Sequence, residues 1–388
     1  MNATTYLASK PRYEILDGLR GVAAIIVVAF HLFETYSQGP AYQILNHGYL
    51  AVDFFFVLSG FVIGYAYDDR WDRMTTFGFF KRRLVRLHPM VIFGTLFGAS
   101  MFYFGACSAF PLLMQTPLWQ VLLVTLLGCL MFPTPTSWDI RGWGETNALN
   151  GPTWSLMWEY VANVLYALII RRFSKLMLGI FVGLSACLTL DVTLNIDTFG
   201  LLSSRSEAAH TLIGGWSLTP DQLYIGISRL LYPFFAGLLL SRVGRLLPVK
   251  RGFYWCSLFI AVILVMPRIG GDTAPWQNGV YEAVSVIVFF PLIVAMGAGS
   301  SVTGKRSVAL CKFLGELSYP LYITHYPLIY MQISWARNHS DAPFEMHLFV
   351  AIVVFVLSIA IAYASLRLYD EPVREWLKHH WLMKKGKA

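Results

Sequence analysis

Long apolar stretches alternate with short polar ones along the whole chain. Ten of them approach or exceed the length of about 20 residues that a helix needs to cross a hydrocarbon core. They cover residues 20–36, 49–67, 89–106, 154–170, 176–192, 223–241, 252–267, 279–298, 314–333 and 346–368. Lipid cannot pair backbone polar groups, so this pattern predicts an all-α, polytopic integral membrane protein with about ten transmembrane helices.

An eleventh apolar stretch, residues 110–132, is predicted to enter the membrane without crossing it. Prolines crowd both of its ends. Counting it as a full span would move the basic loop at 171–175 to the side opposite the other basic loops. We therefore expect a re-entrant segment whose backbone is buried by protein.

The basic residues predict the orientation. Of 30 Lys and Arg residues, 25 fall in segments on one side of the ten predicted spans and four on the other, while Arg229 lies within a span. Because Lys and Arg accumulate in cytoplasmic loops, both termini are predicted to be cytoplasmic. Residues 1–388 then form a single transmembrane domain that ends in a basic cytoplasmic tail, residues 369–388.

Composition supports the membrane class and limits the partners. The chain is 56% hydrophobic and only 13% charged, far more apolar than soluble proteins. Its net charge of +8 is attributed to topology and to membrane lipids rather than to nucleic acid. Five cysteines without a C-x-x-C pair predict neither a disulfide framework nor a metal site. We expect the first span to be retained rather than cleaved as a signal peptide.

The stretch from residue 13 to 36 carries ionisable groups along one helical face. Arg20 and His31 are eleven residues apart, which places them on the same side of a helix, about 16 Å apart. Asp17 and Glu34 fall near the same stripe. If Arg20 marks the membrane surface, His31 lies at about half depth, where an ionisable side chain is usually functional. A histidine satisfied by a neighbouring helix is the alternative.

The second predicted span contains polar and small residues. Asp53 is placed near its outer end and Ser59 at mid-depth. Gly60 and Gly64 are four residues apart, a spacing that favours close helix packing. Ser59 either serves a site or bonds to its own helix.

A predicted cytoplasmic loop, FFKRRLVRLHP, follows. Arg83 and Arg86 are three residues apart and would share a helical face. Arginines in this arrangement can bind phosphates bidentately. Ordinary positive-inside charge or contact with anionic lipid head groups is the alternative.

Two later spans carry further candidates. Glu159 lies about two turns into the fourth span, where a carboxylate needs a partner or a watery cavity. Trp154 in the same span is either an interface residue or part of a site. Tyr322 and His325 lie in the ninth span, whose prolines should kink it, and polar residues at the midplane of irregular helices commonly line substrate cavities.

Five segments together make the chain resemble the membrane acyltransferase family 3. In order, they are LDGLRGVAAIIVVAFH, FFFVLSGFVIG, RLVRLHP, LNGPTWSLMWE and GELSYPLYITHYPL. The similarity runs from residue 13 to about 374. It implies about ten spans, cytoplasmic termini, and transfer of an acyl group, usually acetyl, from cytoplasmic acyl-CoA to a sugar hydroxyl or amine.

The resemblance also implies roles for individual residues. His31 matches the essential histidine of the family and Arg20 its paired basic residue. Arg83 and Arg86 match the arginine pair associated with the acyl donor, and Glu159 the acidic residue of the WSL-x-x-E motif.

A histidine at this position could act in two ways. His31 could be a general base on the incoming hydroxyl, or it could carry the acyl group covalently. Glu34, Asp17 or Glu159 could orient the imidazole. Arg20 or a tyrosine could stabilise the oxyanion.

The expected acceptor is a cell-surface or exported glycan, and the expected location is the bacterial cytoplasmic membrane. No metal or cofactor beyond acyl-CoA is expected. Some members of the family carry a fused esterase-like domain; this chain has none, so any relay would need a separate periplasmic or polysaccharide-assembly protein. The alternatives are a proton-coupled transporter using His31, His325 and Glu159, and a non-catalytic partner in polysaccharide assembly.

Overall fold

The computed structural model describes residues 10–37, 39, 42–203, 205, 209–271 and 273–382, and these residues form helices without strands. The α-helices are α1 Glu14–Glu34, α2 Ala51–Tyr67, α3 Thr76–Met101, α4 Leu118–Cys129, α5 Thr153–Leu168, α6 Lys175–Thr193, α7 Pro220–Val243, α8 Gly252–Val265, α9 Trp276–Val284, α10 Phe290–Gly299, α11 Lys305–Asn338, α12 Phe344–Ser365 and α13 Glu371–Leu377. The π-helical segments are Ser285–Phe289, Leu366–Asp370 and Lys378–Leu382. The predicted tail is therefore helical up to Leu382, and residues 383–388 lie outside the described residues.

The helices have the lengths and surfaces of a polytopic membrane protein. Seven helical segments in the described part of the chain are long and apolar enough to cross a membrane. Each of the ten predicted spans overlaps a helix, but α5, α8 and α11 are not among the seven, so the number ten stays a prediction. Large apolar side chains such as Phe349, Ile352 and Val356 are exposed on α12, as expected of a helix that faces lipid.

Two helix pairs form the centre of the bundle through glycine contacts. α1 runs parallel to α11, and a Cβ on Gly21 would overlap the carbonyl of Leu314. α2 packs on α7, where a Cβ on Gly60 would overlap the carbonyl oxygen of Phe234, and Gly64 lies against Leu238. The close packing predicted from the glycine spacing in α2 is confirmed.

The third span begins much earlier than predicted. The prediction ended the cytoplasmic loop near Pro89, but α3 starts at Thr76 and continues through this proline. The side chain of Thr75 accepts a hydrogen bond from the Gly78 backbone N–H at 3.0 Å, which caps the first turn. The predicted loop is therefore helical, and Arg83 and Arg86 lie on a membrane-entering helix.

The short helix α4 follows a returning path. Its 12 residues rise about 18 Å, too little to cross a hydrocarbon core. The residues on either side of it bond to one and the same loop: Thr116 donates to the Ile140 carbonyl at 3.3 Å, and Thr134 donates to the Thr146 carbonyl at 2.8 Å. This path fits the predicted re-entrant segment.

Several basic segments that were predicted to share one side meet at one end of the bundle. Lys10 pairs with Asp69 at 2.8 Å, and Arg242 pairs with Asp68 at 2.7 Å. We call this the Lys10 end. The opposite end contains the loop with Glu145, and we call it the Glu145 end. That the Lys10 end faces the cytoplasm remains a prediction.

Candidate active site

A line of polar side chains runs along α11 between the two ends of the bundle. Tyr319, Tyr322, Tyr326 and Tyr330 follow one another at intervals of three and four residues, so they share a helical face. The parallel helix α1 lies beside this face and contributes Arg20 and His31. The line therefore brings together residues that are far apart in the sequence.

His31 contacts this line near the Glu145 end. Its Nδ1 lies 2.6 Å from a carboxylate oxygen of Glu34, and 17% of the side chain is exposed. Its ring centroid lies 4.7 Å from that of Tyr326. Because a neutral His31 donates its Nδ1 hydrogen to Glu34, its Nε2 keeps a free lone pair. This is the arrangement of a general base held by a carboxylate.

The position of His31 along the helix differs from the expectation of half depth. His31 lies in the last turn of α1. The expectation assumed that Arg20 marks the membrane surface, but α1 already begins at Glu14, so Arg20 is more than one turn inside the helix.

His325 lies beside His31, with 5.4 Å between the ring centroids. It is fully buried, and its Nδ1 lies 3.0 Å from the Leu321 carbonyl oxygen. A carbonyl accepts only, so Nδ1 carries the hydrogen and Nε2 is an acceptor. This buried Nε2 has no hydrogen-bond partner among the described residues. His325 is thus hydrogen-bonded at one ring nitrogen only.

A proline in α11 explains how the neighbouring loop is attached. Pro327 has no N–H to donate to the carbonyl of Ile323, four residues earlier. The side chain of Asn150 donates to that carbonyl at 2.7 Å instead. This bond holds the loop before α5 against the polar line.

The loop attached in this way adds two residues that the sequence analysis did not select, Arg141 and Glu145. The Tyr330 hydroxyl donates to Glu145 Oε2 at 2.6 Å, and the guanidinium of buried Arg141 lies 3.5 Å from the centre of the Tyr330 ring. Burial raises the pKa of Glu145 from 4.5 to about 7, against the opposing effects of the Tyr330 hydrogen bond and Arg141. One sequence feature could have drawn attention to Arg141: it is one of only four basic residues on the predicted outer side.

The other end of the line carries a cluster of arginines. Arg20 lies 3.4 Å from Asp17, and Arg83 pairs with Glu159 at 2.7 Å. Ser59 also donates to Glu159, at 3.2 Å, so it bonds to another helix rather than to its own. The Nε atom of Arg83 is buried and has no hydrogen-bond partner among the described residues. Arg83 and Glu159 form a buried ion pair between α3 and α5.

Arg86 completes the arginine cluster and differs from its other members. It lies close enough to Arg20 and Arg83 for the charges to repel one another. Its side chain is accessible to solvent and forms no ion pair with any residue in the described part of the chain, although Asp17 and Asp370 lie near enough to attract its charge. The cluster therefore holds one cation without a directly bonded counter-ion, which an anionic ligand could supply.

Tyr322 lies between the arginine cluster and the histidines. Its hydroxyl is 2.8 Å from Ser155 Oγ and donates to the Pro152 carbonyl at 3.1 Å. Its ring meets Phe55 of α2 edge-on at 5.7 Å. Tyr322 thus joins α11 to the start of α5 in the middle of the line.

Two other residues selected from the sequence belong to a different buried cluster. Asp53 pairs with Arg229 at 2.7 Å, and both side chains are fully buried. The Arg229 guanidinium lies 5.0 Å from the Trp154 ring and also donates to the Tyr49 carbonyl. Asp53 and Trp154 therefore join α2, α5 and α7 and make no described contact with His31.

Of the three carboxylates expected to orient His31, only Glu34 contacts it. Asp17 lies at the arginine end beside Arg20, and Glu159 is occupied by Arg83. The arrangement is chemically simple: a carboxylate-bound imidazole lies at one end and a cluster of arginines at the other.

A cavity of about 540 Å³ opens elsewhere at the Lys10 end, between α2, α6 and α7. Lys10 and Arg242 on its wall are already paired with aspartates, whereas Arg171 and Lys175 form no ion pair with a described residue. None of the residues of the polar line borders this cavity.

Comparisons with known proteins agree with the chemistry of this line. A family profile described as an acyltransferase domain matches residues 13–367. The relatives include Protein 2 in picA locus of Rhizobium radiobacter, which is 34% identical over 167 residues, 40% of this chain and 81% of that protein. O-acetyltransferase OatA of Staphylococcus aureus is 24% identical over 94% of this chain and 58% of its own length. Acyltransferase MdmB of Streptomyces mycarofaciens is 26% identical over 92% and 89%.

No solved structure matches the chain significantly. The profile covers all five segments named above. The arginine cluster and His31 also lie within the matched residues. This match favours acyl transfer over the transporter and the non-catalytic partner considered from the sequence. The chain belongs to the membrane acyltransferase family 3.

Proposed function

We propose that this protein is an O-acyltransferase that moves an acyl group, most simply acetyl, from acyl-CoA to a hydroxyl group of a glycan. The observation that carries the proposal is the pairing of two sites along α1 and α11. Arg20 and His31 lie on one helix about 16 Å apart, with the arginine cluster at one end and the His31–Glu34 pair at the other.

The arginine cluster suits the acyl donor. Coenzyme A is anionic at its phosphates and carries its thioester at the far end of a long flexible arm. Arg86 offers a solvent-accessible guanidinium without a directly bonded counter-ion, and arginine binds phosphate bidentately. In the proposed arrangement the phosphates bind at the Lys10 end, on the cytoplasmic side, and the thioester reaches towards His31.

The His31–Glu34 pair suits the transfer step. His31 Nε2 removes the proton from the acceptor hydroxyl while the hydroxyl oxygen attacks the thioester carbonyl carbon. The C–S bond then breaks, and the thiolate of coenzyme A takes the proton back from the imidazolium. Glu34 stabilises the imidazolium and keeps Nδ1 protonated. Covalent transfer through His31 Nε2 uses the same lone pair and is the competing mechanism.

The names of the relatives support the choice of acceptor and acyl group. OatA is named an O-acetyltransferase, although this chain spans 58% of its length. The proposal places the protein in the bacterial cytoplasmic membrane, with the acceptor at the Glu145 end.

The test is transfer of radiolabelled acetyl from acetyl-CoA to soluble glycosides by the purified protein in lipid vesicles. We expect labelled ester in the glycoside fraction for the parent protein. We expect Arg86→Gln to raise the KM for acetyl-CoA about tenfold, because a charge-assisted hydrogen bond contributes about 1.5–3 kcal/mol. Arg337→Gln, which removes an exposed cation at the end of α11, is the matched control.

Two results would contradict the proposal. One is an absence of ester from acetyl-CoA and from longer acyl-CoA donors. The other is an equal rise of the acetyl-CoA KM in the Arg86 and Arg337 variants, which would reduce the arginine cluster to general surface charge.

A further inference from the structure

The loop that Asn150 attaches to α11 has a fixed shape at the Glu145 end. The carboxylate of Asp139 accepts hydrogen bonds from the backbone N–H groups of Arg141, Gly142 and Gly144 at 2.7–2.9 Å. Gly142 and Gly144 have φ values of +100° and +67°, which other residues adopt rarely. The backbone that carries Trp143 and Glu145 is therefore fixed by these bonds.

Glu145 on this loop has one oxygen in use and one free. Oε2 accepts the hydrogen bond from Tyr330. Oε1 accepts none from the described residues, yet it is not sealed from solvent, since the side chain keeps 8% of its surface exposed. Burying a carboxylate with an unused oxygen is costly, so Glu145 Oε1 is suited to accept a hydrogen bond from a ligand.

A chain of contacts through Tyr330 and Tyr326 connects Glu145 to His31. A Cβ on Gly151 would come within 3.0 Å of the Tyr326 ring and 3.1 Å of the Tyr330 hydroxyl and would collide with Glu145 Oε1. The absence of a side chain there lets these three groups pack closely around the same piece of backbone. The rings of Tyr326 and His31 are 4.7 Å apart, and no described residue bonds to the Tyr326 hydroxyl.

An exposed aromatic surface lies near the same groups. Trp143 precedes Glu145 by two residues, and its ring centroid is 6.1 Å from that of Tyr330. Its indole N–H is already bonded to the Ala109 carbonyl, while 37% of the residue is exposed. A sugar ring presents an apolar face and a rim of hydroxyls, which an indole face and a carboxylate oxygen can recognise together.

From this arrangement we infer that Trp143, Glu145 and Tyr326 form the acceptor subsite, which binds a pyranose ring and delivers one of its hydroxyls to His31. The inference rests on the proposed function and adds to it the residues that recognise the acceptor. Trp143 packs on the face of the sugar. Glu145 Oε1 accepts a hydrogen bond from a sugar hydroxyl next to the one that reacts, and the Tyr326 hydroxyl supplies a further bond.

The experiment measures KM for both substrates in the acetyl transfer assay. The acceptors are the 4-nitrophenyl glycosides of glucose, galactose and N-acetylglucosamine. Glu145→Gln keeps the shape of the side chain, and Trp143→Ala removes the aromatic face, with Trp143→Phe as the conservative variant. Glu345→Gln and Trp138→Ala are matched controls, because both residues are exposed and Trp138 lies just before the same loop.

We expect Glu145→Gln to raise the KM for the glycoside about tenfold and Trp143→Ala severalfold, with partial recovery in Trp143→Phe. The KM for acetyl-CoA should stay unchanged in all of them. Transfer by the parent combined with unchanged glycoside KM values in both variants would overturn the subsite and leave the proposed function intact. No transfer by the parent to any of the three glycosides would overturn the proposed acceptor class and the subsite with it.

Discussion

The short bond between His31 and Glu34 defines the chemistry at the scale of single residues. Both residues lie on α1, three positions apart, so helical spacing alone brings them together. The same holds for Asp17 and Arg20. These two pairs were predictable from the sequence. Arg83–Glu159 and Tyr330–Glu145 were not, because they join segments whose relative placement depends on the packing of the whole bundle.

Replacing the Glu34 carboxylate tests its part in holding the imidazole. We expect Glu34→Gln to lower kcat by roughly 10²- to 10⁴-fold, the range over which general-base catalysis by a carboxylate-held imidazole contributes, with little change in the KM for acetyl-CoA. Glu345→Gln is the control, since Glu345 is an exposed carboxylate outside both sites. Equal kcat values for the parent and Glu34→Gln would show that Glu34 does not support His31.

The raised pKa of Glu145 predicts a stability that depends on pH. The folded carboxyl ionises near pH 7 and the ordinary one near 4.5, with Arg141, Asp139, Glu34 and Tyr330 as its charged or polar neighbours. Between these values the folded protein keeps a proton that the unfolded chain has released. The free energy of unfolding therefore falls as pH rises through this window, by on the order of 3 kcal/mol.

Glu145→Gln should remove this dependence. Thermal unfolding in detergent, followed from pH 5 to pH 8, should show Tm falling more for the parent than for the variant. Glu345→Gln, which changes an exposed carboxylate, should behave like the parent. Parallel Tm curves for the parent and Glu145→Gln would contradict the account of this carboxyl.

At the scale of elements, glycines and prolines decide how the helices meet. The spacing of Gly60 and Gly64 predicted a close contact of α2, but only the structure identifies α7 as the partner. The prolines of α11 were expected to kink it. The kink stays a prediction, and Pro327 leaves a carbonyl free, to which Asn150 attaches the loop. The early start of α3 was missed because basic residues and Pro89 suggested a loop, although Thr75 offered an N-cap.

The contact at Gly60 predicts that alanine substitution destabilises the protein at Gly60 but not at Gly179. We expect Gly60→Ala to lower the free energy of unfolding by about 1–3 kcal/mol, because the new Cβ would overlap the Phe234 carbonyl and force α2 away from α7. Gly179→Ala in α6 meets no atom within 4 Å and should be neutral or stabilising. Equal Tm shifts in the two variants would rule out the tight α2–α7 contact.

The bond from Asn150 to α11 predicts that Pro327→Ala reduces the destabilisation caused by Asn150→Ala. Asn150→Ala leaves the Ile323 carbonyl without its donor, which should cost about 1–3 kcal/mol. In a Pro327→Ala background, residue 327 regains an N–H that can serve this carbonyl, so the same substitution should cost less. Tm values of both single variants and the double variant measure the difference. A strictly additive result would mean that Asn150 does not replace the missing backbone bond.

At the scale of the whole molecule, the structure joins two chemistries that the sequence placed in separate segments. Anion-binding arginines collect towards the Lys10 end, and a carboxylate-held imidazole lies towards the Glu145 end, both beside α11. The all-helical class followed from the apolar pattern, because lipid leaves the backbone few other choices. The loop with Arg141 and Glu145 could not be placed, because its contacts depend on helices far away in the sequence.

The most direct test of this account is acetyl transfer by His31→Ala in lipid vesicles, compared with the parent and with His339→Ala. His339 is exposed at the end of α11 and controls for the loss of an imidazole. We expect the parent and His339→Ala to transfer label from acetyl-CoA to glycoside, and His31→Ala, folded and able to bind acetyl-CoA, to transfer none. Transfer by His31→Ala at the rate of the parent would contradict the central claim that His31 carries the chemistry.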